Sequence, residues 1–267
     1  MKRVRLDDEL VAQGICQDKA DALRTLMAGL VSARGERLTS PGQLVVPGIE
    51  LHVKGRSAYV GRGGLKLAGA LDSFQVDPAD LSCLDVGCST GGFTDCLLQR
   101  GAARVLSVDV GRAQFAWSLR NDGRVTLFER TNIADLPALG YTGCCDLAVC
   151  DVSFTSVEHV LPAVLAALNG EGRFLTLVKP QFEAAPEDVG AGGVVSDPAV
   201  WARVLQRNIH LFAENGLFPV DICASPIKGA KGNHEFFLLG DRARFAATQP
   251  QELSAHIRTL EEKAGRL

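Results

Sequence analysis

The stretch Leu84-Asp85-Val86-Gly87-Cys88-Ser89-Thr90-Gly91-Gly92-Phe93 decides how the rest of this chain is organised. Hydrophobic residues lead into it from Leu81, and an apolar helical pattern continues from Phe93 to Leu98. This layout predicts a buried strand, a glycine turn and the start of a helix. Glycines let the backbone pass close beneath a ligand, and the first turn of a helix offers unpaired N–H groups. The stretch therefore predicts a site for a nucleotide-like ligand.

The composition of the 267 residues, 46% hydrophobic and 22% charged, is that of an ordinary globular protein. No apolar run is long enough to span a bilayer, so we expect no membrane partner. Met1–Glu9 carries acids where a signal peptide needs an apolar segment, which predicts a cytoplasmic protein. The eight cysteines lie mostly within apolar runs and form no paired C-x-x-C motifs. We therefore expect reduced, buried thiols and no metal site.

The charge of the chain is uneven along its length. Residues 1–66 carry eleven Lys and Arg against seven Asp and Glu, although the net charge of the whole chain is −3. A basic front end on an acidic body favours contact with a polyanion, although such a balance is also common in domains that bind nothing charged.

Residues 1–55 have the pattern of a small α+β domain. Leu6, Leu10 and Val11 follow a helical spacing, and Asp18 is suited to cap a second helix. Short strand-like pieces follow, of which Ile49–Lys54 alternates between apolar and polar residues.

These elements resemble the S4 RNA-binding fold. The resemblance is carried by Arg5-Leu6-Asp7, Lys19-Ala20 and Met27-Ala28-Gly29-Leu30-Val31, with departures at Gln17-Asp18 and Ala33-Arg34-Gly35. It implies RNA contacts at three basic positions, Arg5, Lys19 and Arg24.

Residues 56–64 are rich in glycine and arginine and show little periodicity, which predicts a linker. Arg56 and Arg62 in this linker are candidates to hold RNA phosphates. A helix is predicted from Leu65 to Phe74, with Lys66 in its first turn. This helix opens a second predicted domain at residues 65–245. Residues 246–267 are predicted to form a tail with a short packing helix.

The domain at 65–245 alternates between strand and helix patterns. Strands are predicted at 81–86, 104–108, 125–128, 146–150, 173–178, 218–224 and 234–239, and helices at 94–100, 113–120, 156–168 and 198–215. Near-continuous apolar strands separated by helices predict an α/β fold with a parallel sheet covered on both faces. The last two strands predict an antiparallel edge, as in the Rossmann-like methyltransferase sheet.

The charged residues in and around the glycine loop indicate which ligand it binds. The pattern Asp85-x-Gly87-x-x-x-Gly91-Gly92 is not a dinucleotide motif, and residues 85–99 contain neither Lys nor Arg. A site without cations is poorly suited to pyrophosphate but suits S-adenosylmethionine, which carries a sulfonium and an ammonium group. Asp109, after the second strand, is placed for the ribose hydroxyls, and Asn132 for the adenine edge. The predicted cofactor contacts are Asp85, Gly87, Ser89, Thr90, Gly91, Gly92, Phe93, Asp109 and Asn132.

Four charged residues lie at strand ends or helix starts, where a purely structural explanation is awkward: Lys66, Asp151, Lys179 and Glu235. In an open parallel sheet, ligands bind outside the carboxyl ends of the strands. Two lysines and two carboxylates beside a methyl sulfonium suit the methylation of a ribose hydroxyl. Such a hydroxyl is a very weak acid, so its methylation needs a base and nearby positive charge. We assign Lys179 as the base, Lys66 and Asp151 as its tuning partners, and Glu235 as an orienting group.

The motifs together resemble the TlyA family, whose members join an S4 domain to an FtsJ-like rRNA methyltransferase domain. The resemblance spans residues 4–240 and is carried by 61–67, 84–96, 109–111, 129–132, 150–154, 178–183 and 231–236. It implies 2′-O-methylation of ribosomal RNA, either free or in ribosomal subunits, with a Lys-Asp-Lys-Glu tetrad. All four tetrad residues are present here, and the family is also called haemolysin-like.

Other readings of the sequence stay open. The chain could be a non-catalytic rRNA-binding or assembly factor, or an enzyme that methylates a base or a small molecule. A pore-forming role is disfavoured because no amphipathic membrane segment is seen. The Gly-rich segment Glu183–Ser196 is a candidate to close over the site, and Lys228 and Lys231 are candidates to hold RNA phosphates, although a solvated loop is the better interpretation of each residue taken alone. The sequence specifies neither the target nucleotide nor the oligomeric state.

Overall fold

The computed structural model describes residues 3–13, 15–16, 18–33, 35–49, 51–55, 58–112, 114–243 and 257. The chain divides into two compact units, Met1–Ala58 and Tyr59–Leu267. The predicted RNA contact Arg56 and, apart from Ile257, the predicted tail helix at 246–267 lie outside the described residues.

The N-terminal unit consists of two short helices and small antiparallel sheets. Its elements are β1 (Val4–Arg5), α1 (Leu6–Ala12), α2 (Lys19–Met27), β2 (Val31–Ala33), β3 (Glu36–Leu38), β4 (Leu44–Val45) and β5 (His52–Val53). Strand β1 pairs with β4, and β2 lies between β3 and β5. Asp18 caps α2, as predicted, because its side chain accepts the Asp21 N–H at 2.7 Å. Leu6, Leu10 and Leu26 are fully buried in the core of this unit.

The second unit is built on a seven-stranded sheet. Its strands are β6 (Ser82–Val86), β7 (Arg104–Asp109), β8 (Val125–Glu129), β9 (Cys145–Cys150), β10 (Leu168–Val178), β11 (Phe218–Ala224) and β12 (Phe236–Asp241). Their order is β11-β12-β10-β9-β6-β7-β8, with parallel pairing from β10 to β8. Strand β12 runs antiparallel to both neighbours and lies one position inside the edge. The mixed α/β fold with a mostly parallel sheet is confirmed.

Helices cover both faces of this sheet. They are α3 (Arg62–Phe74), α4 (Gly92–Gln99), α5 (Trp117–Arg120), α6 (Val157–Ala167), α7 (Pro180–Glu183) and α8 (Pro198–Glu214). Phe174 and Phe212 are buried on one face, and Leu67, Leu97 and Phe237 on the other. In the described part of the chain, no helix is both long and apolar enough to cross a membrane.

Helix α3 begins at Arg62, three residues before its predicted start. The linker prediction for 56–64 rested on its glycine- and arginine-rich composition and its weak periodicity, but close packing needs the glycines here. A Cβ on Gly64 would lie 2.2 Å from the Tyr59 ring, and one on Gly92 would lie 3.0 Å from the Gly64 nitrogen. The glycines therefore bring the first turn of α3 against the start of α4.

Helix α5 is shorter than the predicted segment 113–120 and begins only at Trp117. The preceding backbone is used differently, because the Ala116 N–H donates to the Thr90 carbonyl at 3.1 Å. Ser89 and Gln114 also contact each other through their side chains. The segment before α5 therefore lies along the glycine loop instead of continuing the helix.

Candidate active site

The glycine loop between β6 and α4 adopts the tight turn that its sequence predicts. Gly87 has φ +80°, and a Cβ there would lie 2.9 Å from the Asp151 carbonyl oxygen. Gly91 has φ +93°, and a Cβ there would lie 2.4 Å from the Leu119 side chain. Both positions therefore need glycine for their backbone conformation and for space. Ser89, between them, also has a positive φ, +47°.

Asp109 ends β7 and holds the glycine loop. Its Oδ2 accepts the Ser89 N–H at 2.7 Å, and its Oδ1 accepts the Gly111 N–H at 2.6 Å. An ionised carboxylate has about four lone-pair sites, so both oxygens can still accept ligand hydroxyls. The predicted contact between Asp109 and a ribose is compatible with this geometry.

A cavity of about 440 Å³ opens at the carboxyl ends of the central strands, a size in the range of small-molecule sites. Its lining includes Gly87, Ser89, Asp109, Asn132 and Asp151. Asn132 also caps a short 3-10 turn by accepting the Ala134 N–H at 3.0 Å. None of the described residues lining this cavity is Lys or Arg.

A smaller cavity of about 180 Å³ adjoins the first and leads to Lys179. Its lining includes Thr90, Gly92 and Phe93 from the predicted cofactor loop. The two cavities share Gly87, Ser89, Asp151 and Ser153 as lining residues. A ligand in the larger cavity can therefore present a group to Lys179 through the smaller one.

Asp85, a predicted cofactor contact, lies beneath the loop and lines neither cavity. Its side chain is 0% exposed, and its Oδ2 accepts the Thr94 hydroxyl at 2.6 Å. Its Oδ1 has no hydrogen-bond partner among the described residues. Burial raises the pKa of this carboxyl to about 7. The structure therefore places Asp85 beneath the loop and outside the lining of both cavities, and its direct contact with the cofactor stays a prediction.

The structure arranges the four predicted catalytic residues as two ion pairs. Lys66 Nζ lies 2.5 Å from Glu235 Oε2, and the two side chains are 12% and 3% exposed. Lys179 Nζ lies 2.5 Å from Asp151 Oδ1, with 9% and 19% exposure. The elements that supply them converge at one end of the sheet, since Asp151 follows β9, Lys179 follows β10 and Glu235 precedes β12.

Two uncharged residues in this region were not predicted. Lys179 Nζ donates a hydrogen bond to Ser153 Oγ at 2.8 Å, in addition to its ion pair with Asp151. Gln181 Nε2 donates to Glu235 Oε1 across 3.4 Å. Each lies two positions after a predicted catalytic residue, which was a signal for a place in the site. The sequence does not show, however, which of the neighbouring side chains face the ion pairs.

The short helix α7, which follows Lys179, is fixed at its far end by Glu183. This side chain is 5% exposed and accepts the Ser156 hydroxyl and the Val157 N–H, each at 2.8 Å. Arg207 on α8 also donates to it. The buried Glu183 carboxylate, which accepts from three donors, therefore connects α7 to the start of α6 and to α8.

The segment Glu183–Ser196, a candidate to close over the site, is held by the turn before β12. Asn233 is 2% exposed, donates to the Gly193 carbonyl at 3.0 Å and accepts the Val195 N–H at 3.1 Å. Lys231, a candidate to hold RNA phosphates, donates to the Gly192 carbonyl at 2.6 Å. In this state the segment is bonded in place.

The predicted RNA contacts of the N-terminal unit are exposed and paired with neighbouring acids. Arg5 contacts Asp7 at 2.7 Å, Lys19 contacts Asp8 at 2.6 Å, and Arg24 contacts Asp21 at 3.5 Å. In the second unit, Arg62 is exposed and donates to the Lys228 carbonyl at 3.4 Å. These four contacts with RNA stay predictions.

The site combines an acidic cavity with a buried lysine cluster. Such a cavity suits a cationic cofactor, and its lining carboxylates Asp109 and Asp151 can face positive charge. Lys179 lines the adjoining smaller cavity, and Lys66 is held by its ion pair with Glu235. The described residues contain no group of three His, Cys, Asp or Glu side chains placed to hold a metal ion, and all eight cysteines are free thiols.

Comparison with known proteins relates this geometry to an enzyme family. A family model described as FtsJ-like methyltransferase matches residues 59–242. The chain is 44% identical over 239 residues to the 16S/23S rRNA (cytidine-2′-O)-methyltransferase TlyA of Mycobacterium tuberculosis, covering 89% of each protein. It is 45% identical over 239 residues to YqxC of Bacillus subtilis, described as a candidate rRNA methyltransferase, covering 89% of this chain and 85% of that protein.

One solved structure is similar over the whole chain. It is a candidate hemolysin from Streptococcus thermophilus, with 35% sequence identity, a TM-score of 0.70 and 100% coverage of both chains. Together with the sequence relatives, it confirms the family resemblance predicted from the motifs.

Proposed function

Because this chain belongs to the FtsJ-like methyltransferase family, in which it groups with proteins named TlyA, we propose that it methylates ribose 2′-hydroxyls of ribosomal RNA. S-adenosylmethionine is the methyl donor. The observation that carries the proposal is the acidic cavity that meets Lys179 through shared lining residues. The relatives' names further suggest a cytidine as the target nucleotide. Since ribosomes assemble in the cytoplasm, we place the enzyme there.

The larger cavity fits the donor in shape and charge. Gly87 gives close backbone approach, Asp109 keeps lone pairs for ribose hydroxyls, and Asn132 stands at the rim for the adenine. When bound, S-adenosylmethionine supplies an electrophilic methyl group on a sulfonium. The carboxylates of the cavity stabilise its positive charge.

The lysine cluster activates the target hydroxyl. In its neutral form, Lys179 Nζ would take the proton of the 2′-hydroxyl, which leaves an oxygen nucleophilic enough to accept a methyl group. The bound donor would supply that methyl group, with its methyl–sulfur bond broken, and would leave as the neutral sulfide S-adenosylhomocysteine. Ser153 and Asp151 hold Nζ in place, as they do in the resting structure. Lys66, fixed by Glu235, supplies positive charge that stabilises the developing alkoxide. Much of the rate enhancement comes from this positioning.

We assign the N-terminal unit to RNA recognition, as an S4-type domain at residues 1–55. Arg5, Lys19 and Arg24 present exposed side chains beside acids that a phosphate would displace. Arg56 and Arg62, in the segment between the two domains, are further candidates to contact RNA phosphates.

The proposal is tested by methyl transfer from labelled S-adenosylmethionine to ribosomal subunits and to free ribosomal RNA. The expected product is a nucleotide that resists alkaline cleavage at its 3′ side, because a 2′-O-methyl group blocks attack on the phosphate. Label at an alkali-sensitive position would show base methylation instead. Specific binding of ribosomal RNA without transfer would favour a non-catalytic assembly factor.

A further inference from the structure

Gln181 lies in the same helical turn as Lys179 and contacts the other ion pair of the site. Its Nε2 donates to Glu235 Oε1 across 3.4 Å, and Glu235 Oε2 lies 2.5 Å from Lys66 Nζ. Lys179, two residues earlier, pairs with Asp151. The Gln181 amide is therefore a hydrogen-bonded link between the Lys66–Glu235 pair and the turn that starts at Lys179.

The other end of this amide is left without a partner. Gln181 Oε1 is buried, and no donor reaches it within the described residues. A buried acceptor without a hydrogen bond costs folding free energy, and native structures contain few of them. Glutamine is therefore an unfavourable residue here for stability alone, which points to a role in the reaction.

Glu183 gives the turn the rigidity that such a link requires. The carboxylate of Glu183, at the end of α7, accepts hydrogen bonds from Ser156 and Val157 at the start of α6 and from Arg207 on α8. Pro180 at the first helical position further restricts the backbone. A group fixed to this turn can set the distance between Glu235 and Lys179.

We infer that Gln181 is a positioning residue for methyl transfer, an inference that rests on the proposed function. Its amide keeps Glu235, and through it Lys66, in a fixed position relative to Lys179, so the two ion pairs share one electrostatic environment. The charged groups around it are Lys66 on α3, Glu235 before β12, Asp151 after β9 and Lys179 before α7. A resting hydrogen bond of 3.4 Å is long, and such bonds often tighten in the substrate complex.

The first test replaces Gln181 with leucine, which removes both amide functions and keeps most of the volume. We expect kcat for ribosomal RNA to fall about tenfold, while KM for RNA and for S-adenosylmethionine changes less than about twofold. The unfolding temperature should stay the same or rise, because the unpartnered acceptor is gone. Gln206→Leu, at a half-buried glutamine of α8, is the matched control and should leave kcat unchanged.

A kcat within about twofold of wild type in Gln181→Leu overturns the inference. A loss of kcat that is fully explained by the fraction of Gln181→Leu unfolded at the assay temperature also overturns it, because a purely structural glutamine predicts that result.

The second test needs no RNA. Heteronuclear NMR of labelled lysine side chains in the full chain reports the environment of the Lys66 ammonium, which pairs with Glu235. Gln181→Leu should shift the Lys66 side-chain resonances, because the amide that holds Glu235 is gone, whereas Gln206→Leu should leave them unchanged. Unchanged Lys66 resonances in Gln181→Leu overturn the coupling. Shifted resonances in a protein that does not methylate ribosomal RNA would support the coupling and overturn the proposed function.

Discussion

Ion pairs of the two units have similar lengths but opposite exposure. In the N-terminal unit, Lys19 lies 2.6 Å from Asp8 and its side chain is 66% exposed. In the catalytic unit, Lys66 lies 2.5 Å from Glu235 and is 12% exposed. An exposed pair contributes about 0–1 kcal/mol, whereas removing one partner of a buried pair costs about 3–5 kcal/mol. Burial, more than distance, thus separates the lysines that we propose for catalysis from those that we propose for RNA binding.

The comparison is tested most strongly at the buried pair of Lys179. Lys179→Ala should lower the rate of methyl transfer by roughly 10²–10⁴-fold, because it removes the proposed base. Binding of S-adenosylmethionine, measured by calorimetry, should persist, since the larger cavity is lined by other residues. Lys54→Ala, at an exposed lysine of the N-terminal unit, is the control and should keep kcat. Wild-type activity in Lys179→Ala would remove the distinction between the two sets of lysines.

Asp109 extends the comparison to a half-buried carboxylate whose hydrogen-bond donors, among the described residues, are two backbone N–H groups. Asp109→Asn removes the charge and turns an N–H of the new amide toward one of two backbone donors, Ser89 N or Gly111 N. We expect binding of S-adenosylmethionine to weaken at least about tenfold, measured by calorimetry. Asp122→Asn, which alters a surface pair with Arg124, should bind the donor as wild type does. Equal affinities in both variants would exclude Asp109 from the cofactor site.

Asp85 is fully buried, and its raised pKa predicts how the free energy of unfolding depends on pH. Its pKa is raised to about 7 by burial, against about 3.9 in an unfolded chain. Between these values the folded protein keeps a proton that the unfolded chain has lost. The free energy of unfolding should therefore fall as the pH rises from about 4 to about 7, by up to about 1.4 kcal/mol per pH unit. Above about pH 7 this contribution is fully lost.

Asp85→Asn imitates the protonated carboxyl, so its stability should lack this part of the pH dependence. Urea unfolding of both proteins at pH 5, 6 and 7 measures the difference. Parallel curves for the two proteins would show that Asp85 is ionised throughout this range in the folded state.

The sequence predicted the central strands to within a few residues because they are apolar on both faces, as Leu147–Cys150 illustrates. It misplaced the start of α3 because composition and periodicity are local properties, whereas the contacts of Gly64 with Tyr59 are tertiary. It listed Asp85 among the cofactor contacts but did not show that this carboxylate is fully buried beneath the loop. Its place in the motif is a local property, whereas its burial depends on the helices and strands packed around it.

In the site, the sequence identified four charged residues that the structure brings into two pairs. It did not indicate that Lys66 pairs with Glu235, because these residues are 169 positions apart and no local pattern connects them. Gln181 and Ser153 were missed for a related reason. Their polarity is ordinary for loop residues, and their importance lies in what they contact.

The smallest effects are expected at the exposed end of the comparison. Lys19→Ala and Arg24→Ala should each change the free energy of unfolding by no more than about 0.5 kcal/mol, since their ion pairs are exposed to solvent. If these side chains meet phosphates, each variant should weaken binding of ribosomal RNA several-fold and lower the salt dependence of the binding constant by about one. Filter binding at several salt concentrations measures both quantities, with Lys54→Ala as the control. The variant that combines Lys19→Ala with Arg24→Ala should show both changes in the salt dependence. If its salt dependence equals that of wild type, Lys19 and Arg24 stay paired with their acids and RNA is bound elsewhere.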